Sequence, residues 1–266
     1  MPSNQLKIAI ISHDIVWGDK SENFITVAEL LNRVDCDTDI VVLPELFSTG
    51  FISTTEHLFE MAEDNDGNTI VNVQRWAQFF KFAICGSFIA KENGKYLNRA
   101  FFIEPSGESY FYDKRHLYSQ CNENKIFVRG NDQSPIIRYR GWNISMQICY
   151  DIYFPVWCKS KNNNVDLILT PANCPNNRKY AWKHLLISRA IENQIYIVGA
   201  NRSGSDDFGE YDNSSFIYNY CGECINEESL KSPIIKHAIL SKAELTEFRS
   251  KNPIYLDADL FNLILD

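Results

Sequence analysis

Short runs of β-branched and aliphatic residues alternate with stretches of helical periodicity along nearly the whole chain, and this alternation narrows the folds open to it. Residues 7–11, 39–43, 83–90, 143–149, 167–170, 195–200 and 234–240 read as strands. Between some of them apolar residues recur at three- and four-residue steps. Phe24, Val27, Leu30, Leu31 and Val34 form one such stripe, with Ser21 as the expected N-cap; Ile70, Val73, Trp76, Ala77 and Phe80 form a second. Residues 180–193 carry a third, through Trp182, Leu185, Leu186, Ala190 and Ile191. Asn93-Gly94, Pro105-Ser106-Gly107 and Cys221-Gly222 are turn sequences that predict hairpins. The sheet is therefore expected to be mixed: parallel where a helix intervenes, antiparallel where the turn is short. No Pro/Gly/Ser linker and no repeat divides the chain, so residues 1–266 read as a single α/β domain.

Charge and composition remove several function classes. Thirty-four acidic against 26 basic side chains give a net charge of −8, and no basic run offers a phosphate-binding groove, so no nucleic-acid partner is expected. No segment reaches the roughly 18 apolar residues of a membrane helix, so no membrane partner is expected either. The polar start, Met1 to Gln5, lacks the features of a signal peptide, which predicts a cytoplasmic protein whose eight cysteines are mostly reduced thiols. Cys221 and Cys224 have redox spacing, but they lie between strand-like segments, so a hairpin turn is the better reading. No second Cys-x-x-Cys or His pair completes a metal site, and Gly107, Gly130 and Gly141 make no phosphate cradle. Neither a metal nor an organic cofactor is expected.

Three reactive side chains fall at or near strand ends, where α/β folds collect their chemistry. Glu45 follows the apolar Ile40-Val41-Val42-Leu43-Pro44, and a poorly hydrated carboxylate there is a competent proton acceptor. Cys149 follows Ile144-Ser145-Met146-Gln147-Ile148 and precedes the polar break Tyr150-Asp151. A tight turn at that break would expose the sulfur and aim backbone N–H groups at a developing oxyanion. Lys114 stands in Tyr112-Asp113-Lys114-Arg115-His116-Leu117. Taken singly, each has an ordinary structural explanation: a surface glutamate, a small buried hydrophobe, a solvated lysine. Together they supply base, nucleophile and cation for attack on an electrophilic carbon without histidine.

In that order, the blocks Pro44-Glu45-Leu46-Phe47-Ser48-Thr49-Gly50-Phe51, Asp113-Lys114-Arg115-His116-Leu117 and Ile148-Cys149-Tyr150-Asp151-Ile152-Tyr153-Phe154-Pro155 resemble the nitrilase superfamily of carbon–nitrogen hydrolases. The similarity continues through Pro171-Ala172-Asn173, residues 189–194 and residues 201–204, and within the superfamily the blocks look like the bacterial-type omega-amidases. The resemblance implies a four-layer αββα sandwich that pairs into a homodimer. It also implies hydrolysis of a small amide, with water, through a thioester and with ammonia release. On that template Cys149 is the nucleophile and Glu45 the base, while Lys114 and the Tyr150 N–H stabilise the oxyanion. Glu123 stands where many members carry a second glutamate, although a solvated loop carboxylate is nearly as good a reading. Asp151 is expected to anchor the nucleophile turn. Phe51, His116, Tyr153, Asn173 and Cys174 are the expected pocket residues, His116 with a largely structural part.

Two positions depart from the omega-amidase pattern. Tyr153 occupies the place of an arginine able to bind a substrate carboxylate in bidentate fashion, and Cys174 stands where a tryptophan is usual. These changes bear on the substrate, not on the reaction class. An omega-amide of a 2-oxo dicarboxylic acid is the first expectation. An N-carbamoyl-amine or N-carbamoyl-acid is the enzymatic alternative, a nitrile a weaker one, and a catalytically silent scaffold of the same fold the non-enzymatic one.

Overall fold

The structure, a computed structural model, describes residues 4–52, 54–160, 163–259 and 261–265; the expected polar start therefore lies in part, at Met1 to Ser3, outside the described residues. In chain order the elements are β1 (Gln5–Ile11), α1 (Lys20–Leu31), β2 (Ile40–Val42), α2 (Leu58–Met61), α3 (Asn68–Phe80), β3 (Ala83–Glu92), β4 (Lys95–Ile103), β5 (Ser109–Asp113) and α4 (Glu123–Ile126). Then follow β6 (Ile137–Tyr139), β7 (Trp142–Met146), β8 (Leu167–Pro171), α5 (Lys179–Asn193), β9 (Tyr196–Ala200), β10 (Ser203–Asp206), β11 (Gly209–Asp212), β12 (Phe216–Tyr218), β13 (Glu227–Ser229), β14 (Ser232–Ser241) and α6 (Lys242–Lys251).

Two sheets dominate. One has seven strands in the order β13-β14-β1-β2-β3-β4-β5; the other has five, β12-β9-β8-β7-β6. Strands β1, β2 and β3 are parallel, as are β7, β8 and β9, whereas the Asn93-Gly94 and Pro105–Gly107 turns join antiparallel pairs. The period-2 alternation of the first sheet sorts its side chains onto two faces. Ile8, Ile10, Ile40, Val42, Ala83, Cys85, Ala100 and Phe102 cluster with Ile144, Met146, Leu167 and Leu169 of the second sheet. Their neighbours Ala9, Ile11, Val41, Ile84, Phe101 and Ile103 instead pack with Val27, Leu30 and Leu31 of α1 and Ile70, Val73 and Ala77 of α3. On the second sheet, α5 packs through Trp182, Leu186 and Ala190. At Gly199 a Cβ would stand 2.5 Å from Leu186 and 2.6 Å from Trp182, so only glycine lets α5 sit this close to β9. The layers run helix, sheet, sheet, helix, as expected of an αββα sandwich.

Two local expectations are corrected. Asp19, not Ser21, caps α1: its carboxylate accepts the Glu22 N–H at 3.0 Å, which starts the helix one residue before Ser21. The strand expected to run to Cys149 ends at Met146, and Cys149 instead opens a 3₁₀ turn spanning Cys149–Tyr153. Cys221-Gly222 does form a turn, closed by a bridge between Tyr218 and Cys224, and all eight cysteines are free. No helix among the described residues is long and apolar enough to cross a membrane.

Candidate active site

Glu45 and Lys114 are brought together by the inner faces of the seven-stranded sheet. The chain leaves β2 through Leu43 and Pro44, and Glu45 is pinned to the second sheet by its own N–H, which donates to Ala172 O at 3.2 Å. Lys114 directly follows β5. It shares the parity of Tyr112, a residue of the layer between the sheets, so its side chain enters that layer rather than solvent. Its backbone is clamped on both sides: its N–H donates to Asn98 O, and its C=O accepts the Gly130 N–H, both at 2.9 Å. Gly130 passes so close that a Cβ there would lie 2.2 Å from Asp113 O.

Inside the layer Lys114 Nζ donates to Glu45 Oε1 at 2.7 Å and to both oxygens of Glu123 at 2.8 and 2.9 Å. Glu123 lies on α4 and is 0 % exposed, which excludes the solvated-loop reading. It also accepts the Tyr118 N–H at 2.6 Å. Asn98 of β4 bridges the two carboxylates, its Nδ2 reaching Glu45 Oε1 at 2.8 Å and Glu123 Oε1 at 3.1 Å. The remaining Glu45 oxygen accepts the Asn173 N–H at 2.9 Å, which fixes the carboxylate against the end of β8. Burial alone would depress the Lys114 ammonium, but Glu123 and then Glu45 overcome it and hold it above the ordinary lysine range. Glu123 is displaced upward by burial, against the pull of Lys114 and with a further push from Glu45.

Cys149 lies in the field of this cluster. Its backbone is left-handed at φ 40°, a costly conformation for a residue with a Cβ, and it starts the 3₁₀ turn. Asp151 holds that turn in place. One carboxylate oxygen accepts the His116 N–H and faces His116 Nδ1, both at 2.9 Å; the other accepts the Tyr112 hydroxyl at 2.8 Å and the Ile148 N–H at 3.1 Å. Asp151 thus ties the turn to His116, Tyr112 and Ile148 through four contacts. The Cys149 thiol is pushed well above its usual range, first by burial and then by the Glu45 charge, with Lys114 and Arg178 pulling the other way. That upward shift favours the thiol over the thiolate, so a base beside it assists its reaction.

The other expected pocket residues divide. Phe51 and Asn173 line a cavity of about 90 Å³ together with Tyr118, Cys121, Arg178 and Tyr211. Neither side-chain polar atom of the buried Asn173 has a partner among the described residues. Phe51 packs edge-on against Phe208 at 4.9 Å, and these two rings also border a larger groove of about 540 Å³. The His116 ring stacks on Phe154 at 3.6 Å and turns its Nδ1 to Asp151, contacts that serve the nucleophile turn. Cys174 is buried with its backbone N–H and C=O both bonded to Asn201, and it is not among the described cavity-lining residues. Tyr150 and Tyr153 pack ring to ring at 4.9 Å beside the sulfur-bearing turn.

Several residues of the site carry no signal in a single sequence. Asn98 looks like any mid-strand asparagine, and only its register with the inner face reveals it. Arg178, Tyr118 and Tyr112 likewise enter through tertiary packing. Arg189 and Glu192 form an ion pair at 2.7 Å, and Arg202 is a buried cation between Asp14 and Asp206.

A model of the carbon-nitrogen hydrolase family matches residues 7–246. The chain belongs to the carbon–nitrogen hydrolase family. It is similar to omega-amidase YafV of Escherichia coli strain K12, at 37% identity over 260 residues covering 97% of this chain and 98% of that protein. It is also similar to the 2-oxoglutaramate amidase of Bacillus subtilis strain 168, at 29% identity, with coverage of 94% and 96%. Among solved structures, a carbon–nitrogen hydrolase superfamily protein of Xanthomonas campestris, bearing an arsenic adduct in its active site, superposes with a TM-score of 0.90 at 32% identity, covering 97% of this chain and 99% of that one. This carbon–nitrogen hydrolase is a member of the nitrilase superfamily and a hydrolase of C–N bonds other than peptide bonds.

Proposed function

We propose that the protein is an omega-amidase that cleaves the monoamide of a short 2-oxo dicarboxylic acid through a Cys149 thioester. The observation carrying this reading is the burial of Glu45, Lys114 and Cys149 in one electrostatically coupled cluster, in a chain similar over its length to proteins named omega-amidase and 2-oxoglutaramate amidase.

The Sγ of Cys149 attacks the amide carbonyl carbon while its proton passes to Glu45. That transfer leaves the summed charge of thiol, two carboxylates and ammonium unchanged, which suits groups buried as deeply as these. Lys114 and the Tyr150 N–H, an amide in the first turn of a 3₁₀ helix where no intrahelical acceptor exists, stabilise the oxyanion. Glu45 returns the proton to the departing nitrogen, ammonia leaves, and the thioester forms. Glu45 then draws a proton from water, whose oxygen attacks the thioester carbon and releases the acid and the thiol. Glu123 keeps Lys114 aimed at the reacting oxygen. No step needs a cofactor.

The test is ammonia release from 2-oxo dicarboxylic monoamides. Retention of full activity by Cys149→Ala would end the proposal, and carbon dioxide appearing with the ammonia would move the assignment to an N-carbamoyl substrate. The pairing implied by the family is proposed to use the outer face of α5, where Tyr180 is 78% and Ile191 47% exposed. Sedimentation of the wild type as a dimer, and of Tyr180→Glu/Ile191→Glu as a monomer, is the expected result; a monomeric wild type refutes it.

A further inference from the structure

The omega-amidase pattern expects an arginine where this chain has Tyr153, and the cavity holds a cation that comes from elsewhere. Arg178 closes the short 3₁₀ turn Asn176–Arg178 immediately before α5. Its N–H donates to Pro175 O at 2.9 Å, and the Asp212 N–H donates to Asn176 Oδ1 at 3.0 Å, so the turn is tied at both ends. The guanidinium carbon stands 3.9 Å from the ring centre of Tyr118, 5.3 Å from that of Tyr153 and 5.5 Å from that of Tyr150. Three aromatic faces therefore fix the plane of this group, and the Tyr153 hydroxyl accepts a hydrogen bond from it, while no carboxylate among the described residues takes its remaining N–H donors.

The contrast with the other buried arginines is informative. Arg99 holds Asp113 and Glu92, Arg189 holds Glu192, and Arg202 holds Asp14 and Asp206, while Arg115 spends its N–H groups on Gly130 O and Asn131 Oδ1. Arg178 is half-buried and makes no salt bridge among the described residues; its strongest electrostatic partners are Cys149, Tyr153 and Cys174. A guanidinium partly stripped of water and left without an anion is costly unless an anion arrives. It lines the small cavity that also contains the unpartnered amide of Asn173, the residue whose backbone N–H binds Glu45.

We infer that Arg178 is the anchor for the carboxylate at the far end of the substrate, and that Tyr153, rather than binding substrate itself, is part of the aromatic cradle that orients it. The inference rests on the omega-amidase reading for its choice of substrate but makes a prediction about charge that stands apart from turnover. A monoamide with a free carboxylate would be gripped by the fork of Arg178 while its amide carbon lies at Cys149. A neutral amide of equal length would lack that grip. The cation also supplies the charge for an acidic substrate that Tyr153 does not provide.

Two selectivity ratios test this. The first is kcat/KM for an acidic monoamide, such as succinamate, divided by kcat/KM for neutral butyramide. The second is the rate of Cys149 alkylation by iodoacetate divided by that by iodoacetamide, a ratio in which the thiolate fraction cancels. In Arg178→Met each ratio should fall about 10- to 100-fold, the range for losing charge-assisted hydrogen bonds to one ion. Arg178→Lys should recover part of it, because a point charge replaces the fork. Melting curves verify that each variant is folded. Unchanged ratios in folded Arg178→Met overturn the inference even if the wild type proves an omega-amidase. If instead no amide is hydrolysed but the alkylation ratio collapses in Arg178→Met, the anion anchor stands and the substrate assignment falls.

Discussion

Glu123→Gln is the sharpest perturbation of the buried cluster, because it removes a charge while keeping the shape. Lys114 has three carboxylate acceptors in place, Glu45 Oε1 at 2.7 Å and the two Glu123 oxygens at 2.8 and 2.9 Å. A glutamine must put an NH₂ in one of the two oxygen positions. In the first it meets Asn98 Nδ2 and Lys114 Nζ; in the second, the Tyr118 N–H and Lys114 Nζ. Either orientation sets a donor against the ammonium, so one charge-assisted hydrogen bond is lost and its donor is left facing another. Such bonds contribute about 1.5–3 kcal/mol, equivalent to roughly 10- to 150-fold in rate if the interaction is needed in the transition state. Lys114 would then lean on Glu45 alone, making Glu45 a more firmly held anion and a poorer acceptor for the thiol proton. The loss is expected in kcat, with KM within about threefold of wild type, since Glu123 is buried behind the cavity wall and touches no substrate. Steady-state ammonia release measures both constants, and a melting curve verifies folding. A folded Glu123→Gln with wild-type kcat, or one whose deficit lies wholly in KM, would refute the positioning role given to this carboxylate.

Two further outcomes follow from buried groups around the site. Asp151→Asn confronts at least one of the four donors on its oxygens with an N–H₂; the expected cost is about 2–4 kcal/mol, read as a fall in Tm of roughly 5–10 °C, together with slower alkylation of Cys149 as its turn loosens. An unaltered Tm would show that the turn holds without the anchor. His13 is fully buried with Nε2 at 3.1 Å from Phe47 O, and burial, with a further contribution from Arg202, depresses its pKa from 6.5 to about 4. The unfolded chain therefore binds a proton between pH 6.5 and 4 that the folded chain refuses, so stability is full above that window and falls as pH drops through it, by roughly 3 kcal/mol in total. Denaturant unfolding at pH 7 and pH 4.5 should show this slope in the wild type and a flatter one in His13→Gln; equal slopes would assign the acid sensitivity to other groups.

The layered fold was legible in the sequence because its strands and helices carry opposite periodicities, and each buries its apolar side against a different layer. Ile8 and Ile10 face one way and Ala9 and Ile11 the other, so the strand reveals two buried faces without any homologue. Helix ends were less legible: Asp19 and Ser21 are both good caps, and only the hydrogen bond to the Glu22 N–H distinguishes them. The reactive trio was visible only as a set: Glu45 and Cys149 follow apolar runs, Lys114 stands in a charged block, and together they supply base, nucleophile and cation. What surrounds the trio was not, since Asn98 and Tyr112 acquire their roles from strand register and from contacts across 25 to 53 residues of sequence, and Tyr118 from packing against Arg178. Arg178 shows the limit most clearly. Position 153 lacks the expected cation, yet a guanidinium from a turn 25 residues later rests over the ring that replaced it. Charge at a binding site is a property of a point in space, and a chain may deliver it from any loop that reaches that point, so the absence of an arginine from one position of a pattern is no measure of the field a substrate meets.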